Sequence, residues 1–321
     1  MKVLVTGGAG YIGSVCVEQL LNAGHEVTVF DHMEQGHRGA VDARAKFVEG
    51  SLADAARVRG VVEGAEAIVH FAAYTLVGES MSDPGKYFRN NVANGINLLE
   101  AAVAGRVRKF VFSSTCATYG PPERVPMTED LPQRPINPYG ESKLMFEKML
   151  QWYRQVHGLE FVAFRYFNAA GASQNFGEDH RPETHLIPNI LRVALGKTTH
   201  FEIYGTDYPT PDGTCIRDYI HVIDLSDAHV LALAPGKQGF FNLGNGDGYS
   251  VRQVHHACEK VAGRKIPAIE KPRRAGDPPR LVAAAEKAKG ELGWKPKFPR
   301  LEQIVETAWD WHRRNPEGYK Q

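Results

Sequence analysis

The chain has 321 residues, 43% of them hydrophobic, with 38 Lys plus Arg against 37 Asp plus Glu for a formal net charge of +1. That length supports one large or two unequal domains. The even charge excludes a global field that would draw in nucleic acid or an anionic membrane surface, so any anionic ligand must be held by local clusters. No apolar run approaches the ~20 residues of a membrane span, and the opening Met1-Lys2-Val3-Leu4-Val5 carries no signal-peptide core. The reading is a soluble, cytoplasmic protein with no nucleic-acid or membrane partner. Cys16, Cys116, Cys215 and Cys258 lie far apart and match no zinc or redox spacing; they read as reduced thiols, with a disulfide left open.

In chain order, short β-branched or aromatic apolar runs predict buried strands at 2–6, 26–30, 67–71, 109–113 and 161–165. Helical periodicity lies between them, at 11–23, roughly 87–104 and 138–157. This alternation, with strands apolar on both faces, predicts an α/β protein with a Rossmann-type doubly wound parallel sheet. After Asn168 the pattern loosens, and Gly, Pro and Asp crowd residues 205–213, 244–248 and 267–279. The expected division is therefore a nucleotide-binding domain at 1–167 and a smaller, loop-rich substrate domain at 168–321. The segment near 217–234 is placed as one that packs back on the first domain.

Thr6-Gly7-Gly8-Ala9-Gly10-Tyr11-Ile12-Gly13 links the first strand to the first helix. Gly7, Gly10 and Gly13 permit a tight turn, close approach of a pyrophosphate, and close packing of helix on sheet. The helix N-terminus then offers free N–H groups to the phosphates. Asp31 ends the second strand 24 positions after Gly7. Alone it is an ordinary loop aspartate; paired with the turn it accepts ribose hydroxyls and repels a 2′-phosphate, so NAD is expected rather than NADP. The Gly-x-x-Gly-x-x-Gly spacing resembles the short-chain dehydrogenase/reductase superfamily.

Pro138-Tyr139-Gly140-Glu141-Ser142-Lys143 opens a helix, and Tyr139 and Lys143, four apart, share a face. A nearby ammonium is expected to lower the phenol's pKa and make Tyr139 a general base. The hydroxyl run Ser113-Ser114-Thr115 follows a strand. It reads either as a strand-end turn or, at the carboxyl edge where such sheets bind ligands, as a source of a hydroxyl at Thr115 for the reacting oxygen. The ordered combination of glycine turn, hydroxyl run and Tyr139/Lys143 favours catalysis.

Beyond these motifs the chain carries Phe71-Ala72-Ala73, Val77-Gly78-Glu79-Ser80, Arg165-Tyr166-Phe167-Asn168, the long run from Tyr204 through Arg217-Asp218-Tyr219-Ile220-His221-Val222, Arg273-Arg274-Ala275-Gly276-Asp277 and Leu292-Gly293-Trp294. Over essentially its whole length it resembles the UDP-glucose 4-epimerase family of extended short-chain dehydrogenases/reductases. The resemblance implies Tyr139, Lys143 and Thr115 as catalytic residues. It implies NAD contacts from Gly7, Gly10, Tyr11, Ile12, Gly13, Asp31, Ser51, Leu52, Phe71, Ala72, Ala73, Asn90, Ser113, Tyr139, Lys143 and Tyr166. For a UDP-sugar it implies Thr115, Tyr139, Asn168, His185, Leu186, Tyr204, Arg217, Tyr219, Arg274, Asp277 and Leu281. Two arginines from separate loops suit bidentate capture of a pyrophosphate, although 271–280 alone reads as a basic linker.

The implied activity is reversible NAD-dependent 4-epimerisation of UDP-galactose and UDP-glucose through a 4-keto sugar, in a homodimer built from helices near 87–104 and 138–157. Three positions depart from the pattern. Ser51 replaces an adenine-contacting aspartate, Thr75 replaces a lysine, and the loop at 32–39 is basic and bulky; Arg38 could in principle approach a 2′-phosphate, although Asp31 argues against it. A 4,6-dehydratase, which needs an acid and a base, is disfavoured because Cys116 and Ala117 stand where the resemblance places that enzyme's Asp-Glu pair. Leu281 maps to the gatekeeper beside the sugar's 2-substituent, leaving open another UDP-sugar (N-acetylhexosamine, pentose or uronate). A non-catalytic NAD-binding protein is the reading from a different class. No metal site is expected; His32, His37, His221, His255 and His256 read as structural or surface residues, and 286–291 as an exposed helix face.

Overall fold

The computed structural model describes residues 1–274 and 276–320; Ala275, within the second arginine motif, and Gln321, at the end of the expected second domain, lie outside the described residues. Seven strands form one sheet in the order Gly239–Leu243, Glu160–Tyr166, Lys109–Ser113, Ala67–His70, Lys2–Thr6, Glu26–Asp31, Lys46–Glu49. Every pairing is parallel, so the fold is the Rossmann-type α/β sheet expected from sequence. The five expected strands are its centre, and the two that sequence patterning misses are its edges. Lys46–Glu49 is four residues long with both charged ends exposed, and edge strands lack the apolar run by which central ones are read. Gly239–Leu243 contains Asn242, which is buried.

Side chains alternate across the sheet. Val3 and Val5 face a core with Val17 and Leu20 of helix Tyr11–Asn22, Leu225 and Ala228 of helix Val222–Ala232, and Leu292 and Trp294. Leu4 faces the other way, toward Leu98, Leu99, Phe146 and Leu150 of helices Asn94–Ala104 and Pro138–His157. The first core thus draws on residues either side of 167: helix Val222–Ala232 lies along helix Tyr11–Asn22, and the Trp294 indole donates to the Asp224 carbonyl at 2.8 Å. A second core joins helices Leu186–Ala194, Val251–Ala262 and Leu301–Arg314 to the parallel pair Phe201–Tyr204 and Ala268–Lys271.

Helix Pro138–His157 has the bounds its sequence predicts. Asn137 accepts the Gly140 N–H at 2.8 Å, Pro138 occupies the first turn, and Gly158 ends the helix at φ 72°. The helix expected at 87–104 is interrupted. A π-helical segment, Phe88–Ala93, separates Pro84–Tyr87 from Asn94–Ala104. Within it Asn91 is buried and donates to the Tyr74 carbonyl (3.0 Å) and the Ser142 hydroxyl (3.1 Å), accepting the Tyr74 N–H at 2.9 Å. A wide turn that re-aims one polar side chain is the usual use of such a segment. The cysteines are unpaired, with Cys16, Cys215 and Cys258 buried. Among the described residues no helix is long and apolar enough to cross a membrane.

Candidate active site

Strand register aligns the carboxyl ends of the sheet. Thr6 pairs with both Phe30 and His70, His70 with Phe112, and Ser113 with Phe164. Gly7, Asp31, Phe71, Ser113 and Tyr166 therefore emerge along one edge, where doubly wound sheets bind their ligands.

The glycine turn is fixed by contact. Gly7 has φ 73°, and a Cβ there would lie 2.5 Å from the Ala72 nitrogen; one on Gly13 would lie 2.1 Å from the Gly7 carbonyl oxygen. Gly10 caps the first helix without a side-chain hydrogen bond among the described residues, leaving its terminus to be completed by backbone and ligand. Asp31 is buried and accepts the N–H groups of Ala9 (3.0 Å) and Met33 (2.9 Å), which fixes its carboxylate beside the turn. Arg38 lies over the Phe47 ring at 4.1 Å, and the Ser51 hydroxyl accepts the Ala53 N–H at 3.2 Å. Leu52 is buried, and the Phe71 ring packs against His229 at 4.8 Å. The Asn90 amide donates to Asn91 at 3.1 Å.

The strand ending at Ser113 delivers Thr115, whose hydroxyl accepts the Ala117 N–H at 3.2 Å. Helix Pro138–His157 presents Tyr139 and Lys143 to this run. The Lys143 ammonium donates to the Ser113 carbonyl at 2.8 Å and sits 4.9 Å over the Phe112 ring. The hydroxyls of Ser113 and Tyr166 are hydrogen-bonded. The expected lowering of the phenol by lysine is not what dominates: burial pushes Tyr139 up to about 12, opposed by the nearby Thr115 hydroxyl. Burial also pulls Lys143 down to about 7, partly offset by Glu147. The Cys116 thiol is pushed up by burial to about 12.

Sequence reasoning assigned no role to the layer beneath. Glu147 and Arg165 are both buried and paired through two bonds, 2.9 and 2.7 Å. Glu147 also accepts Ser114 (2.6 Å) and Gln133 (2.9 Å), while Arg165 donates to Tyr119 at 3.0 Å. A bidentate, charge-assisted pair holds geometry well, and here it anchors the hydroxyl run to the Tyr139 helix. Helical spacing was an available signal, because Glu147 lies one turn after Lys143 on the same face.

Opposite, the loops converge. Arg217 pairs with Asp277, and the Arg274 guanidinium stacks 4.0 Å over the Tyr204 ring. Arg274 and Asp277, with Tyr208 and Arg273, line a cleft of about 480 Å³. Asn168 pairs in register with Tyr219 and donates its side-chain amide to the Asp218 carbonyl at 2.9 Å. Leu281 pairs with Arg217 and packs in the cluster that includes Cys116, Tyr119 and Phe167, so it lies between the arginine loop and the hydroxyl run. The His185 ring is held at 2.9 Å by Glu183, and Leu186 begins the next helix.

A dinucleotide turn, a strand-end hydroxyl and a Tyr-Lys helix on one parallel sheet define the short-chain dehydrogenase/reductase class of folds. The model of the NAD dependent epimerase/dehydratase family matches residues 3–244. A UDP-glucose 4-epimerase of Lacticaseibacillus casei is 53% identical over 99% of both chains. A crystal structure of UDP-glucose 4-epimerase superposes with a TM-score of 0.97 at 50% identity, covering 100% of both chains. The UDP-glucose 4-epimerase of Bifidobacterium longum in complex with NAD+ and UDP has a TM-score of 0.95 at 38% identity, covering 99% of this chain and 100% of its own. The chain belongs to the NAD dependent epimerase/dehydratase family.

Proposed function

We propose that this protein interconverts UDP-galactose and UDP-glucose by NAD-dependent 4-epimerisation. The observation that carries the reading is the convergence of Thr115, Tyr139 and Lys143 between a glycine turn and a loop set bearing Arg217 and Arg274. The residues present fit NAD: Gly7 and Gly13 leave a cradle that a Cβ would fill, the first helix ends on backbone N–H groups, and Asp31 is fixed for ribose hydroxyls. When bound, oxidised NAD supplies a hydride acceptor for sugar carbon 4 and a positive ring that favours the phenolate. Tyr139 takes the 4-hydroxyl proton, and the neighbouring Thr115 hydroxyl orients that oxygen. Lys143 fixes the carbonyl end of the hydroxyl run and adds positive charge nearby. Arg217 and Arg274 exchange their internal partners for the diphosphate, and Tyr204 stacks on the uracil. With the UDP held remotely, the 4-keto sugar turns over and accepts hydrogen on its other face.

Leu281 sets the size of the space beside the sugar's 2-substituent. A stripe of exposed apolar side chains on the Pro138–His157 helix, Met145, Trp152 and Val156, with Ile96 on the neighbouring helix, supports a homodimer through these helices. Trp152→Glu is then expected to yield monomers by sedimentation. The unpaired thiols support a cytoplasmic location.

The test is conversion of UDP-galactose by purified protein without added NAD, with UDP-N-acetylgalactosamine alongside. Turnover of the first alone supports the proposal with Leu281 as a closed gate. Turnover of both makes the enzyme dual-specific. If neither reacts after NAD is supplied, the substrate assignment fails.

A further inference from the structure

The loop leading into helix Leu186–Ala194 reads Glu178-Asp179-His180-Arg181-Pro182-Glu183-Thr184-His185, a Glu-x-His-x-x-Glu-x-His spacing that no step above uses. Its four side chains converge so that one donor atom from each lies within 4.8 Å of all the others. The His185 Nδ1 is 2.9 Å from both Glu178 Oε1 and Glu183 Oε1; the His180 Nδ1 is 3.1 Å from Glu178 Oε1 and 3.7 Å from Glu183 Oε2. Both carboxylate side chains are only 5% exposed. Yet Glu178 Oε1 and the His180 Nδ1 have no hydrogen-bond partner among the described residues. His185 and Glu183 are hydrogen-bonded, while the buried, unbonded Glu178 Oε1 and His180 Nδ1 are aimed at the same centre. A tetrahedral ion with bonds of about 2.0–2.1 Å separates its ligands by about 3.3–3.4 Å; the four imidazole–carboxylate separations, 2.9–3.7 Å, bracket that spacing, and the remaining pairs lie within 4.8 Å.

We propose that Glu178, His180, Glu183 and His185 bind one divalent transition-metal ion of the zinc type, as a structural site. Two imidazoles with two carboxylates suit zinc; calcium and magnesium prefer all-oxygen sets of six or more. Four protein donors leave no open position, so the ion does no chemistry. Its place in the fold gives it a role. His185 caps helix Leu186–Ala194 of the second core. The His180 ring meets Tyr11 edge-on at 6.0 Å, and Tyr11, in the first turn of the nucleotide helix, donates to the Gly171 carbonyl at 2.6 Å. The ion therefore pins the connection between the dinucleotide turn and the substrate lobe. The competing arrangement is two imidazolium–carboxylate pairs. Nearby Glu178 and Glu183 raise both imidazoles, His180 to about 9 and His185 to about 10, when no ion is bound.

The test uses the full-length enzyme purified without a metal-affinity step. Elemental analysis after gel filtration is expected to find one zinc-type ion per chain, absent from a His180→Ala/Glu183→Gln variant. After stripping with dipicolinate, Co2+ alone should give the visible bands of tetrahedral cobalt. Zn2+ should restore the lost Tm, and Mg2+ should not. If the variant does not fold, the wild-type cobalt spectrum decides. The proposal is overturned if no transition metal copurifies and neither Zn2+ nor Co2+ changes the Tm or the spectrum of the stripped protein. That result leaves imidazolium–carboxylate pairs as the account of the cluster.

Discussion

The two walls of the candidate site are built from different material. On the nucleotide side the recognition surface is backbone: a glycine turn, an uncapped helix N-terminus and a carboxylate already fixed by two main-chain N–H groups. On the opposite side it is side chains. Arg217 pairs with Asp277, Arg273 with Asp207, and Arg274 lies on Tyr204. A backbone cradle loses little freedom when its ligand binds. Long side chains must release internal partners and be ordered again, which weakens binding and permits exchange. The difference matches a cofactor retained through turnover and a nucleotide sugar that must leave.

Substitutions that separate the walls test this contrast. Gly13→Ala places a Cβ 2.1 Å from the Gly7 carbonyl oxygen, so loss of retained NAD, read by absorbance of the purified protein, should be essentially complete. Tyr139→Phe should lower kcat by roughly 10²–10⁴ while leaving NAD bound, since it removes a proton acceptor and no part of the cradle. Glu147→Ala strands the buried Arg165 and is expected to cost about 3–5 kcal/mol of stability in urea titration. Arg274→Ala should weaken UDP binding by about 1.5–3 kcal/mol, read by calorimetry, with NAD retention unchanged. Equal loss of NAD in the Arg274 variant would break the comparison.

The nucleotide wall was also the more legible one. Glycine spacing and a carboxylate at a strand end are local signals. The Tyr139 helix carried its own stops in Asn137, Pro138 and Gly158, so its bounds could be read to the residue. What escaped depends on distance along the chain. Lys46–Glu49 and Gly239–Leu243 take their strand character from neighbours rather than from a local apolar run. The π-helical segment is set by what Asn91 bonds to. The Glu147–Arg165 pair joins a helix to a strand that follows it, and the raised phenol of Tyr139 follows from burial, which motif spacing does not report. The His185 ring is engaged by Glu183 and Glu178. That cluster sits in a loop with neither helical nor strand periodicity.

The central claim is that one retained cofactor takes hydrogen from sugar carbon 4 and returns it within the same site. It is tested most directly by following UDP-galactose deuterated at carbon 4 through turnover with excess unlabelled NAD in solution. The account predicts UDP-glucose that keeps its deuterium at carbon 4, with none in the free nicotinamide pool. Product without deuterium, or label in the free pool, would contradict it.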